Sequence, residues 1–325
     1  MPELPEVETV RRGLEEQLAG RSFAAQPLVR LEWPRTIAAP TPEALAARLG
    51  GRGIRGVRRR AKFLIVDLDG GEHLVIHLRM TGQLRVVPAT APPDRFERVA
   101  FALAGGDELR FSDIRRFGRV ALLDEAELVE RLRALGPEPL GDEWGAEAFA
   151  AGLARRRSRL KPLLLDQSFL AGLGNIYVDE ALHRAGLHPL ILADEVPAAR
   201  AVALHAAVRE VLAEAIASGG TSFSNYRDAY GGEGDYYERR RVYGRADQPC
   251  LTCGDAIRRI VVGGRGTHFC PSCQGEPERG GQTAEGRRGT RADDGEGPLP
   301  LVSRRRPPLR RVAEEGEPYD EAGQS

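Results

Sequence analysis

Apolar positions at the start of the chain recur at helical spacing. Val7, Val10, Leu14 and Leu18 form one stripe, Pro5 suits a first turn and Gly20 can end the element, so a helix is predicted over residues 5–19. β-branched and aromatic runs then predict strands at 62–68, 73–78, 83–87, 97–103, 108–111 and 119–123, with turns at Asp69-Gly70-Gly71 and Ala104-Gly105-Gly106-Asp107. Thr41-Pro42-Glu43 reads as the cap of a short helix through Leu49. A β-rich stretch with a helix at its front predicts a sandwich or barrel over residues 1–135.

A helix at 125–135 leads into Gly136-Pro137-Glu138-Pro139-Leu140-Gly141, so 136–143 is expected to be a linker. From Trp144 the period becomes helical, and 144–240 is expected to form a second domain. Its clearest helix is 198–218, closed by Gly219-Gly220. Residues 163–170 read as another, followed by the turn Gly172-Leu173-Gly174, with Asn175 expected to cap a helix through Ala185. The Gly-, Ser- and Tyr-rich stretch 221–237 reads as a long loop, a length that points to function. Residues 241–274 carry all four cysteines, and 275–325, poor in apolar residues, is expected to be a disordered tail.

The metal signal is the sharpest. Cys250-x2-Cys253 and Cys270-x2-Cys273, separated by sixteen residues, have the spacing of a four-thiolate tetrahedral site, so one structural Zn²⁺ is expected. Iron–sulfur clusters use the same ligands, although no spacing here specifies them. Residues 257–262 and the glycine-rich Gly263-Gly264-Arg265-Gly266 between the pairs read as a hairpin with Arg265 at its tip, and His268 as a hairpin side chain. Cysteines bunched in this way, no apolar run of ~18–20 residues and a charged start all point to a cytosolic protein without a membrane span.

Charge changes the picture next. Lys+Arg 47 balance Asp+Glu 47, and the zero sum argues at first sight against a nucleic-acid partner. Placement reverses this. Residues 52–62 and 154–161 are basic stretches without an acid, and Arg115-Arg116, Arg239-Arg240-Arg241 and Arg258-Arg259 add smaller clusters near Phe117, Tyr236 and Tyr237. One such run reads as a solvated face; several together read as a phosphate-binding surface. The turn before Asn175 adds a helix N-terminus, which suits an anion. Only two of the basic residues are lysine, Lys62 and Lys161, and Met80 is the only methionine besides Met1. The start, Met1-Pro2-Glu3-Leu4-Pro5-Glu6-Val7-Glu8, satisfies a helix start. Removal of Met1 would also expose a secondary amine at Pro2, an α-amino group titrating near ~8, beside the carboxylates of Glu3 and Glu6.

These features occur with Arg60-Ala61-Lys62-Phe63-Leu64, His77-Leu78-Arg79-Met80-Thr81-Gly82, Asp113-Ile114-Arg115-Arg116-Phe117-Gly118, Gly172–Tyr177 and Phe269-Cys270-Pro271-Ser272-Cys273-Gln274. Together, over residues 1–274, they resemble formamidopyrimidine-DNA glycosylase, the bacterial base-excision family for oxidised purines. The resemblance implies an α+β fold: an N-terminal β-sandwich with flanking helices, a helix–two-turn–helix domain, and a four-cysteine zinc finger hairpin. It implies a monomer of the bacterial cytoplasm that binds duplex DNA in the cleft between domains. Pro2 would attack C1′ of the damaged nucleotide, Glu3 would donate a proton, Lys62 would donate in β-elimination, Arg265 would assist δ-elimination, and Glu6 would support the site. Met80, Arg115 and Phe117 would fill the gap left by the flipped base. Arg116, Arg157, His77 and Asn175 would contact phosphates, Lys161 would sit at the DNA-facing entrance of the helical domain, and 221–237 would cover the flipped base. Ile114 stands where the family usually has proline, and Phe96 where many relatives carry a phosphate-contacting histidine, a role for which Arg98 is the substitute at hand. The sister endonuclease VIII activity on oxidised pyrimidines is the rival, opposed by Leu4 where that branch typically has glycine. A catalytically silent DNA-binding protein of the same fold is the other alternative.

Overall fold

The computed structural model describes residues 2–142, 144–222 and 226–275. Helix α1 (Leu4–Leu18) has Pro5 in its first turn, where a missing N–H costs nothing, and its stripe Val7, Val10, Leu14 and Leu18 is fully buried. There follow β1 (Phe23–Leu31), β2 (Ile37–Ala39), α2 (Pro42–Leu49), β3 (Ile54–Arg60), β4 (Phe63–Leu68), β5 (Glu72–His77), β6 (Gly82–Pro88), β7 (Glu97–Leu103), β8 (Asp107–Asp113) and β9 (Arg119–Asp124). They form one sheet ordered β1-β7-β8-β6 and another ordered β2-β9-β5-β4-β3. Phe101 and Phe111 of the first share a core with Leu64, Ile76 and Leu122 of the second, which makes the pair a sandwich, with α1 packed into the same core. The other face of the larger sheet, Ile65, Val75 and Leu123, is covered by Leu128 of α3 (Glu125–Leu132).

A second core gathers α4 (Ala146–Ala154), α5 (Leu160–Leu165), α6 (Asn175–Arg184) and α7 (Ala198–Ala217), and it includes Leu4 of α1. The one-turn helix α8 (Tyr236–Arg239) precedes the hairpin of β10 (Arg258–Val262) and β11 (Arg265–Phe269), joined by Gly263-Gly264. Among the described residues no helix is long and apolar enough to cross a membrane.

Several expectations are corrected. The helix expected at 163–170 is the shorter and earlier α5, which tolerates Pro162 because the first turn makes no intrahelical N–H bond. Gly174, not Asn175, is the N-cap of α6. Strands β1 and β3 escape alternation for different reasons: Pro27 and two register shifts interrupt β1, and in the Arg-rich β3 only Ile54 and Val57 are buried. The tail expected at 275–325 lies, beyond Gly275, outside the described residues, as do residues 223–225 of the 221–237 loop.

Candidate active site, nucleic-acid interface and metal centre

The start of α1 is pressed against the turn that begins α6. Leu4 N–H donates to the Gly172 carbonyl at 3.1 Å, and the Glu3 carboxylate accepts the N–H of Ile176 at 3.1 Å. This approach explains both glycines. A Cβ on Gly174 would lie 2.2 Å from Glu3 Cδ, and Gly172 has φ +90° with Leu4 Cδ1 2.6 Å from where its Cβ would be. The N-terminus of α6 therefore takes an internal carboxylate. The reading of this turn as a free phosphate site is corrected to that extent.

Pro2 and Glu3 are buried, and so is Glu6. Glu3 N–H donates to Glu6 Oε2 at 2.8 Å; Glu6 Oε1 accepts the Thr221 N–H at 2.7 Å and the Tyr177 hydroxyl. Tyr177 lies inside the quoted glycine motif, whereas Thr221 is marked only as the first residue of the 221–237 loop, with nothing that points to Glu6. Burial is the main force on both acids and raises both; for Glu3 the opposing pull of Lys62 is outweighed, and it is pushed up to about 7. Lys62, also buried, donates from Nζ to the Leu173 carbonyl at 2.7 Å. Burial pulls its ammonium down against the attraction of Glu3 and Glu6, with Arg265 adding to the fall. Three ionisable groups are thus tuned by one dry site, the pattern of acid–base machinery.

A cavity of about 270 Å³ opens on the Lys62 side of this centre, and Lys62, Gly174, His77, Asn175 and Arg265 all line it. Elements far apart in sequence meet there: β5 brings His77, α6 brings Asn175, and β11 brings Arg265. The hairpin is fastened in place, since the Gly266 carbonyl accepts Asn175 Nδ2 at 2.9 Å and Lys161 Nζ at 3.2 Å. His77 Nδ1 accepts the Arg79 N–H at 3.0 Å, which leaves Nε2 as the protonated nitrogen of a neutral ring. Burial, then Arg79 and Lys62, push its pKa down to about 3, so the ring stays neutral near pH 7.

Met80, Arg115 and Phe117 come together at a second, exposed place. Arg115 Nη1 lies 3.0 Å from Met80 Sδ, and its guanidinium is 4.9 Å from the Phe117 ring centroid. Arg116 is exposed and stacks 4.7 Å over Trp33.

The basic stretches separate into two kinds. In space, 52–62 is not acid-free: Arg58 pairs with Asp67 at 2.7 Å, Arg59 with Glu8 at 3.1 Å, and Arg60 with Glu138 at 2.9 Å. Arg155, Arg157 and Arg159 are exposed and, among the described residues, pair with no carboxylate. Lys161 is corrected. It has 0% exposure, and its Nζ lies 2.6 Å from Asp179 in a buried ion pair, so it cannot face DNA in this conformation. Arg98 is corrected likewise: it is buried, and its Nε donates to the Asp113 carbonyl at 2.7 Å.

The four cysteine Sγ atoms lie within 4.8 Å of one another, Cys250–Cys273 at 3.9 Å and Cys253–Cys270 at 3.4 Å. A tetrahedral ion with Zn–S bonds of ~2.3 Å needs S···S edges of ~3.8 Å, so the four thiolates fit one Zn²⁺. Four protein ligands leave no position for substrate, and the ion's part is to hold the hairpin.

Comparison with known proteins agrees with this geometry. Residues 1–120 match the family described as the formamidopyrimidine-DNA glycosylase N-terminal domain, 135–227 its H2TH domain, and 247–275 the zinc finger found in FPG and IleRS. The formamidopyrimidine-DNA glycosylase of Herpetosiphon aurantiacus is 50% identical over 274 residues, covering 84% of this chain and 100% of that one; that of Chloroflexus aggregans is 48% identical, covering 84% and 98%. A Lactococcus lactis FPG mutant in complex with DNA containing Fapy-dG superposes with TM-score 0.79 at 36% identity, covering 85% of this chain and 100% of that one. A MutM complex with DNA containing carbocyclic 8-oxo-G gives TM-score 0.78 at 35% identity, covering 85% and 100%. The chain belongs to the formamidopyrimidine-DNA glycosylase family.

Proposed function

We propose that the protein excises oxidised purines, 8-oxoguanine and formamidopyrimidines, from duplex DNA and then cleaves the abasic strand. The observation that carries this reading is the buried Pro2-Glu3 start held on the N-terminus of α6, with Lys62 on the next carbonyl. With Met1 removed, the Pro2 nitrogen forms a bond to C1′ and the bond from C1′ to the base breaks. The departing base takes a proton from Glu3, whose pKa of about 7 leaves it partly protonated near neutrality. Breaking of the C1′–O4′ bond, with the Pro2 N–H proton passing to O4′, opens the sugar and gives an iminium on the Pro2 nitrogen. Loss of a C2′ proton to water then breaks the C3′–O bond, and the leaving 3′ phosphate oxygen takes a proton from the lowered ammonium of Lys62. Arg265 assists the second elimination from the cavity wall, and a one-nucleotide gap remains.

His77 Nε2–H, Asn175, Arg116 and Arg157 hold phosphates, and Met80, Arg115 and Phe117 enter the stack vacated by the flipped base. Residues 221–237 fold over the extruded base. One zinc ion holds residues 241–274, and the sandwich of 1–135 and the helical domain of 144–240, joined by 136–143, supply the two walls. The protein acts as a monomer on DNA in the bacterial cytoplasm.

A panel of lesion-bearing duplexes tests the proposal. Cleavage of 8-oxoguanine opposite cytosine at least ~10-fold faster than thymine glycol is expected. The reverse order would replace it with the oxidised-pyrimidine reading, and binding without cleavage of any lesion would make the protein catalytically silent.

A further inference from the structure

The three side chains of the exposed cluster sit on two separate turns, between β5 and β6 and between β8 and β9. Met80 is 39% exposed and Phe117 46% exposed, so their mutual contacts through Arg115 are solvated and weak. Something buried has to set their spacing. Asp113, the last residue of β8, is 1% exposed and paired in register with Gly82. Its Oδ1 accepts the Thr81 hydroxyl and the Arg115 N–H at 3.1 Å, and its Oδ2 accepts the Gly118 N–H at 2.7 Å. The Thr81 oxygen accepts the same Arg115 N–H at 3.0 Å. One carboxylate therefore bonds the residue after Met80, the backbone of Arg115 and the residue after Phe117. Arg98 and the Phe96 carbonyl fix it from behind: Arg98 Nε donates to the Asp113 carbonyl, and Asp113 N–H donates to Phe96 at 2.9 Å. Each turn also holds a non-glycine residue at positive φ, Arg79 at 56° and Arg116 at 60°, a conformation that persists only where surrounding bonds enforce it.

We propose that Asp113 is a positioning residue for base extrusion: its carboxylate locks the Met80 turn to the Arg115–Phe117 turn, so that the three side chains enter the duplex as one preset wedge. The inference rests on the wedge reading given above. It separates two substrates. An 8-oxoguanine paired with cytosine has to be driven from the stack, whereas a preformed abasic site has no base to expel. A carboxylate that merely capped a strand would affect both alike.

The test is single-turnover cleavage of these two duplexes by the full chain. Asp113→Asn cannot supply both acceptor oxygens and is expected to slow 8-oxoguanine excision about tenfold while abasic-site cleavage stays within about twofold. 2-Aminopurine beside the lesion should report the same delay in unstacking. Thr81→Val, which removes the hydroxyl alone, is expected to show the same selectivity to a smaller degree, and it decides the matter should Asp113→Asn not fold. Equal slowing on both substrates, or no slowing on either, overturns the inference. Phe117→Ala separates the two levels. If it is selective and the Asp113 and Thr81 variants are not, the inference alone fails. If Phe117→Ala is itself unselective, the wedge reading fails and takes the inference with it.

Discussion

The Glu3 carboxylate accepts the backbone N–H of Ile176 at 3.1 Å, across 173 positions of sequence. The bond places an acid at the positive end of α6, which favours its anion, in a site dry enough to favour the neutral form. Burial wins and sets Glu3 at about 7, against an ordinary 4.5.

A stability consequence follows from the direction of that shift. Because the folded value is the higher one, the folded chain takes up a proton between about 4.5 and 7; the contribution of Glu3 to stability is complete below 4.5 and is lost as pH rises through about 7. Glu3→Gln removes the buried charge. It is expected to leave unfolding near pH 4 little changed and to stabilise the protein at pH 8 by about 1–3 kcal/mol in urea titrations.

The same variant should separate the two chemical steps. In the proposed mechanism base departure takes the Glu3 proton, so the wild-type single-turnover excision rate is expected to fall above pH ~7. Glu3→Gln should lower excision by about 10²–10⁴ and abolish that alkaline limb, while still processing a preformed abasic site, where no base leaves.

Gly174 admits no side chain, since a Cβ there would lie 2.2 Å from Glu3 Cδ. Gly174→Ala is expected to destabilise by about 1–3 kcal/mol and to displace Glu3, with excision lost more completely than DNA binding. Parallel melting and fluorescence-anisotropy measurements check both halves.

Lys161 and Arg157 are cations of opposite kinds and should separate cleanly. Lys161→Met leaves Asp179 buried without its ion pair, which is expected to cost about 3–5 kcal/mol in denaturant unfolding. Arg157→Ala should leave melting unchanged and reduce the salt slope of DNA binding by about 1.

Chelation of the zinc should free the hairpin whose Gly266 carbonyl holds Asn175 and Lys161. Excision and DNA binding are both expected to fall, and hydrogen exchange should rise first in β10, β11 and the start of α6 while the sandwich core stays protected.

Most of this site was legible in the sequence because its parts are short motifs with fixed chemistry. The C-x2-C pairs and the Pro-Glu start point to their residues directly, and the Gly-x-Gly turn marks a place without naming its occupant. What escaped depends on pairing across space. Arg58, Arg59 and Arg60 look like a free basic patch until β3 brings them beside Asp67, Glu8 and Glu138. Lys161 looks like a surface cation until α5 packs it against Asp179. The α6 turn looks like a phosphate cradle until Glu3 arrives from the other end of the chain. Asp113 and Thr221 stand at the heads of a quoted motif and of the long loop, but their own roles depend on which N–H and hydroxyl groups the fold brings to them.

The proposed mechanism places the covalent bond to the sugar on the Pro2 nitrogen. Borohydride reduction of the Met1-processed protein on 8-oxoguanine DNA, followed by peptide mass spectrometry of the adduct, tests it most directly. The expected result is a single reduced cross-link on the Pro2 nitrogen, absent from protein that retains Met1. A cross-link on Lys62, or cleavage without any trapped adduct, would contradict it.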